Sequence, residues 1–168
     1  MEKLDTVDIF TASLKDCKIF VKAVEPVGWY YNEHDFDIWR EVFGEHSFFC
    51  AKKDDQFVGF CIGTRHKNNN VGYFGNFFVH PDFRGKGWGR KLSDAAFHHL
   101  NGANVCLTSS SENWYKYRDN YGFNVIPEWR LKKVVCPRND TKLFKTLQPY
   151  LDTLSDVKIL DPDSGHNQ

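Results

Sequence analysis

Several things are scarce in this 168-residue chain, and each scarcity closes a class of function. It has no net charge, since 22 lysines and arginines are matched by 22 aspartates and glutamates. A balanced surface sets up no global field to draw the chain onto nucleic acid or an acidic membrane, so neither is expected as a partner. It has no long apolar run, and Met1, Glu2, Lys3, Leu4 and Asp5 lack the apolar stretch of a leader, so no segment reads as spanning a bilayer. Its five cysteines (17, 50, 61, 106 and 136) form no C-x-x-C pair and are odd in number. Lying in or beside apolar runs, they read as small buried thiols in a reduced, cytosolic setting. His98 and His99 lack a partner at metal-ligand spacing, so no metal site is expected. There are no internal repeats and no low-complexity tract, and the length suits one domain with a core of its own.

What the chain does have is a dense block from Val79 to Arg90, reading Val-His-Pro-Asp-Phe-Arg-Gly-Lys-Gly-Trp-Gly-Arg. The apolar run Phe74–Val79, broken only by Gly75 and Asn76, predicts a buried strand that Pro81 stops. Leu92, Ala95, Ala96, His99 and Leu100 follow at helical spacing. Strand, glycine loop and helix in that order make an anion cradle. Amides at a helix start point outward and carry roughly half a positive charge, and glycines let a phosphate approach the backbone. Arg84, Lys86 and Arg90 add full charges, so a phosphate-bearing ligand is expected. A nucleotide P-loop would need lysine and then serine or threonine after its last glycine, but here Lys86 precedes Gly87 and Trp88 follows it. A dinucleotide fingerprint would need glycine where Arg90 stands.

The rest of the chain reads as alternating strands and helices. Thr6–Ala12 predicts a first strand, and Ser13 with Asp16 a helix start. Cys17, Phe20, Val21 and Val24 give that helix its stripe, and Pro26 and Gly28 end it. An aromatic loop from Trp29 to Asp35 leads to a second stripe, Phe36, Trp39 and Phe43, stopped by Gly44. Ser47–Ala51 and Phe57–Gly63 predict two strands around a polar turn at 52–55, with a second turn at His66–Asn70 whose asparagines suit positive φ. A meander makes this part antiparallel. After the helix, Val105–Thr108 predicts a strand parallel to Phe74–Val79. A helix over Ser111–Asn120 and strands at Phe123–Ile126 and Trp129–Cys136 follow. From Pro137 on, Leu143, Phe144, Leu147, Leu151 and Leu154 keep helical spacing across Pro149. The expected organisation is an α/β domain over 1–136, with a mixed, mostly antiparallel twisted sheet flanked by helices, and a helical tail or linker over 137–168.

The loop Arg84-Gly85-Lys86-Gly87-Trp88-Gly89, after a strand ending Val79-His80-Pro81, resembles the R-G-x-G-x-G pyrophosphate loop of the GNAT acyltransferase superfamily. The order of elements from about Val7 to Cys136 is similar to that fold. Gly28-Trp29, Asp35, Phe48-Phe49, Val58-Gly59-Phe60 and the stretch Asn113–Phe123 look like one GNAT subgroup. Its members often carry a second, degenerate acetyltransferase-like domain, of which only the first has a counterpart here. The resemblance implies acetyl-CoA as co-substrate, without a metal. It implies that Phe77, Phe78 and Val79 offer backbone groups to the pantetheine arm, and that Arg84, Gly85, Lys86, Gly87, Trp88, Gly89 and Arg90 hold the pyrophosphate. It also implies a splayed bulge, which falls at Gly75 beside Asn76, since a strand glycine often marks one. Close packing alone is the other reading of Gly75.

The family places a tyrosine four residues before a late Gly-Phe pair to protonate the departing thiolate. Here that pair is Gly122-Phe123 and the position is Arg118, with Tyr117 one residue earlier. One residue turns a helix by about 100°, so Tyr117 is either the acid on a shifted helix or a packing aromatic. The central strand offers no base, only Tyr73, Phe74, Gly75 and Asn76. Trp29, Glu33 and Asp35, on the aromatic loop, are the candidate acceptor-binding residues; the alternative is that the loop plugs the core. No cysteine has a neighbouring base in sequence, which favours direct attack over an enzyme-bound intermediate. The chain is therefore read as an acetyl-CoA-dependent N-acetyltransferase acting on a small-molecule amine or peptide. Its alternative is a CoA-binding regulatory or scaffolding module without chemistry.

Overall fold

The computed structural model describes residues 6–32, 34–66, 68–110 and 112–127. Met1–Asn124 form one compact unit, and Val125–Gln168 are grouped as a second. Within the first unit, β1 (Asp8–Thr11), β2 (Phe48–Lys53), β3 (Gln56–Arg65), β4 (Val71–Val79) and β5 (Asn104–Leu107) form one sheet in chain order. The first three pairings are antiparallel and the last, β4 with β5, is parallel. The helix between β4 and β5 is what makes a parallel pair possible, since parallel neighbours need a long crossover. This is the mixed, mostly antiparallel α/β sheet expected from the sequence.

Among the described residues four α-helices flank it: α1 (Leu14–Val24), α2 (Asp35–Phe43), α3 (Trp88–His99) and α4 (Trp114–Tyr121). The start of α1 is a capping box, in which Ser13 accepts from the Asp16 amide and Asp16 reaches back to Ser13. Two cores result. Phe20, Phe36, Phe48, Phe60 and Phe78 pack α1 and α2 against the sheet, and Val58, Phe74, Trp88, Leu92 and Leu100 pack α3 against it. The β2–β3 hairpin turns on two residues with positive φ, Asp54 (47°) and Asp55 (63°), which suits the right-handed twist of its strands. The asparagines of the turn at 66–70, which tolerate positive φ, do not adopt it.

Phe123–Ile126 form no strand. Val125 is 91% exposed, and among the described residues no strand edge pairs with it, which a strand needs whatever its side-chain pattern. Gly122 takes a left-handed φ of 75° instead, and the Phe123 amide bonds back to the Tyr117 carbonyl, closing α4. The strand expected over Trp129–Cys136, the boundary at 136–137 and the helical spacing beyond it lie outside the described residues.

Candidate active site

Two departures from regular sheet geometry create the site. The first is a bulge in β4. Phe60 pairs with Phe78, but Ile62 pairs with Gly75, so Asn76 and Phe77 together oppose Cys61. Asn76 carries the left-handed conformation, with φ of 50°. The bulge thus falls one residue past Gly75, which itself pairs regularly with Ile62. Gly75 serves close packing there, since a Cβ on it would lie 2.5 Å from the Tyr73 ring. The second departure is that β5 accompanies β4 only over Val71–Phe74, ending at the pair Phe74–Leu107. Beyond it β4 runs on to Val79 with that edge open among the described residues.

The His80 amide bonds the Val58 carbonyl on β3. Backbone groups alternate sides along a strand, so Phe78 faces β3 while Phe77 and Val79 face the open edge. Of the three residues expected to meet the pantetheine arm, Phe77 and Val79 turn backbone groups to the open edge. Phe78 contributes its side chain instead, packed against Phe20 and Trp29. The Val79 carbonyl is already taken by Arg84 Nε at 2.9 Å, which pins the start of the glycine loop.

The loop delivers the N-terminus of α3 to the end of this edge. Gly87 is the N-cap, with φ of 76°, and no side chain caps the helix. The amides of its first turn are left for an outside acceptor. Gly89 admits close contact with β4, since a Cβ there would come within 3.0 Å of Val79 Cγ2. Trp88 is 2% exposed, its ring tilted against Phe83, so it offers its amide and not its ring. Lys86 lies over that ring, 4.8 Å from its centroid. Arg90 is held by Asp94 at 2.8 Å and lies over the Tyr121 ring.

Between the open edge and α4 lies a cleft of about 910 Å³. Phe77, Val79, Arg84, Gly85, Gly87, Gly89 and Arg90 line one side, and Thr108, Ser109 and Ser110 line the wall after β5. From α4 and its N-cap come Asn113, Lys116, Tyr117, Asn120 and Tyr121, whose three- and four-residue spacing is that of one helix face. Tyr117 therefore faces the cleft on a regular helix, without any shift of register. Arg118, in the position counted from Gly122, stacks on Trp114 and pairs with Asp119 instead. The face is set by Tyr121, whose hydroxyl is hydrogen-bonded to Ser93 of α3. Burial raises the Tyr117 pKa above its ordinary value, with Tyr121 adding to the shift, so the hydroxyl stays protonated at neutral pH.

No carboxylate, histidine or thiol lines the cleft among the described residues, whereas Arg84, Arg90 and Lys116 do. Burial pushes the Cys17 thiol up to about 11, Cys50 to about 12 and Cys61 well above the usual range, leaving them protonated. Among the described residues no cluster suits a metal ion, and no helix is long and apolar enough to cross a membrane.

On the far side of the bulge, Val27 and Trp29 line the cleft. Asp35 does not; its Oδ2 accepts the Asn32 amide at 2.8 Å and holds the loop that leads into α2. Glu33 lies outside the described residues. Sequence reading missed Tyr31, whose hydroxyl donates a 3.1 Å hydrogen bond to Asn76 Oδ1.

Residues 44–125 match the family model for the acetyltransferase (GNAT) domain. Over that stretch, just under half of the chain, this is a GNAT acetyltransferase domain. Its fold is also that of solved acetyltransferases. Ard1 from Thermoplasma volcanium is 23% identical, with a TM-score of 0.62 over 72% of this chain and 84% of that one. Glucosamine-6-phosphate N-acetyltransferase from Arabidopsis thaliana is 17% identical, at 0.58 over 79% and 100%. Diaminobutyrate acetyltransferase EctA from Paenibacillus lautus, solved with L-2,4-diaminobutyric acid and coenzyme A, is 15% identical, at 0.60 over 70% and 74%. No curated protein sequence matches the chain. As a GNAT domain the chain takes its acetyl group from acetyl-CoA, and the cleft fits that donor. It has an unpaired strand edge for a chain of amides, and an uncapped helix start flanked by arginines for phosphates.

Proposed function

We propose that this GNAT domain lays acetyl-CoA along the open edge of β4 and passes the acetyl group to a primary amine of a small molecule or peptide by direct attack. The observation that carries the reading is the parting of β4 from β5 beyond Phe74 and Leu107, beside an uncapped α3. The coenzyme supplies an activated thioester. Phe77 and Val79 would take the place of a neighbouring strand for its pantetheine amides. The loop from Arg84 to Arg90, including the amides of Gly85, Lys86, Gly87, Trp88 and Gly89, would hold the pyrophosphate.

Tyr117 is the proposed acid: its raised pKa keeps a proton on Oη for the departing sulfur. The acceptor would enter past Trp29, with the loop carrying Glu33 and Asp35 shaping its side. A primary alkylamine with pKa near 10.4 is neutral at pH 7 in only about one molecule of 2,500, a deficit of about 4.6 kcal/mol. With no carboxylate lining the cleft among the described residues, water would carry that proton away, or the amine is a weakly basic one. Buried, unpaired thiols at 17, 50 and 61 support a reducing, cytoplasmic setting. The test is thiol release from acetyl-CoA across a panel of aromatic amines, amino acids and peptides, with calorimetry of acetyl-CoA alone. Binding with amine-dependent release is expected, and absence of binding overturns the reading.

A further inference from the structure

Asn76 stands where strand geometry is most demanding, at the left-handed residue of the β4 bulge. Glycine is the inexpensive choice for such a position. Asparagine tolerates it and adds a side chain, and that side chain has a specific partner. Tyr31, from the loop after α1, donates to Asn76 Oδ1 at 3.1 Å. The Tyr31 ring is wedged among Phe20, Phe36 and Trp39, with centroids 5.5, 5.7 and 6.1 Å away. Burial pushes its hydroxyl up to about 12, with smaller contributions from Tyr73 and Asp35, so it remains a donor. The amide is thereby oriented, with Oδ1 towards Tyr31 and a buried Nδ2 that has no partner among the described residues. A loop on the acceptor side of the sheet is tied to the residue that precedes Phe77. The Phe77 amide faces the open edge where β4 and β5 part.

We propose that Asn76 is a positioning residue. Its bond to Tyr31 locks the β4 bulge to the loop after α1 and so holds the Phe77 amide against the acyl carbonyl. Acceptor side and donor side would then share one hydrogen bond, so whatever orders the Tyr31 loop also sharpens the slot. This rests on the acyl-transfer reading of the cleft.

The test needs no identified acceptor. Carbonyl-labelled [13C]acetyl-CoA is bound to the parent protein and to Asn76→Gly, Tyr31→Phe and Asn76→Asp, recording the carbonyl resonance and Kd for each. Glycine adopts the left-handed backbone freely and phenylalanine keeps the Tyr31 ring, so these two variants should melt within a few degrees of the parent, and Asn76→Asp is read at a pH where it is folded and binds acetyl-CoA. A carbonyl hydrogen-bonded by Phe77 moves downfield on binding the parent. Asn76→Gly and Tyr31→Phe should lose most of that shift with Kd changed by less than about threefold. Asn76→Asp, which keeps an oxygen for Tyr31, should retain it. Full shift in both of the first two variants overturns the inference, as does loss in Asn76→Asp equal to that in Asn76→Gly. A Kd that collapses with the shift reduces Asn76 to a structural role and overturns it equally. Each of those results leaves the acyl-transfer reading standing. Failure of the parent to bind acetyl-CoA brings down both.

Discussion

Lys52 of β2 places its ammonium 2.6 Å from Oδ1 of Asp16, a carboxylate almost wholly buried in the first turn of α1. Burial by itself would raise the Asp16 pKa, but hydrogen bonds from Lys52 and Ser13 outweigh it and bring it below 3.8. A depressed carboxylate pKa contributes stability that is present above the unfolded value and lost as pH falls through the folded one. Lys52→Met strands the charge and should cost about 3 kcal/mol at neutral pH, seen in urea melts. That gap between variant and parent should close as the pH is lowered below 3.8, where Asp16 takes up a proton in both. A gap that persists unchanged in acid would mean that Lys52 acts by packing on Phe10, which it also covers.

The glycine loop makes a sharper claim on binding. Gly87→Glu puts a carboxylate at the uncapped start of α3 and forces a non-glycine residue into φ of 76°. The strain alone costs of order 1–3 kcal/mol. Acetyl-CoA should raise the melting temperature of the parent and leave that of the variant where it was. A rise of equal size in both would place the phosphates elsewhere.

Tyr117→Phe keeps the ring that packs near Phe74 and Phe123 and removes only the hydroxyl. We expect kcat to fall at least about tenfold with acetyl-CoA binding unchanged. Tyr115→Phe, on the exposed face of α4, serves as the control and should behave as the parent. Because burial raises the Tyr117 pKa, loss of its proton should not limit the parent until above pH 10. Activity falling away near neutrality would point to another acid.

Tyr121→Phe and Ser93→Ala break the same contact between α4 and α3. Each should cost about 1 kcal/mol of stability, and the double variant should cost little more than either. Thiol release should drop with them, since the α4 face that carries Tyr117 would be less firmly set. Full additivity would show that the two groups work independently.

How much of this was open to sequence reading depended on how local the cause was. The cradle at Arg84–Arg90 was legible because glycine freedom and helix-start amides are backbone properties of neighbouring residues. The capping box of Ser13 and Asp16 was legible for the same reason, yet the Lys52 partner was not, since only the β1–β2 pairing brings it there. Tyr117 was ambiguous when counted back from Gly122. Its direction is decided by Tyr121 meeting Ser93, a contact between two helices. The apolar residues around Val125 suited a strand, but a pattern cannot supply the neighbouring edge. Tyr31 read as one aromatic in a loop of several, and only the bulge gives its hydroxyl an address.

The bulge has a last consequence, in the arithmetic of chain length. Because β4 spends one extra residue opposite Cys61, Phe74 and Phe77 both join the core under α3, and Phe78 joins the core under α1 and α2. Strict alternation would have put Phe74 and Phe78 on one face together. A variant lacking residue 76 would restore plain alternation against β3, with Phe74 and Phe77 still on one face and Phe78 on the other. Both aromatic layers would survive the loss of the kink, whereas a residue removed from a regularly paired stretch of β4 hands its neighbours to the wrong face. A library of single-residue deletions through 72–79 should therefore fold best with the gap at 76, at the expense of the bulge itself.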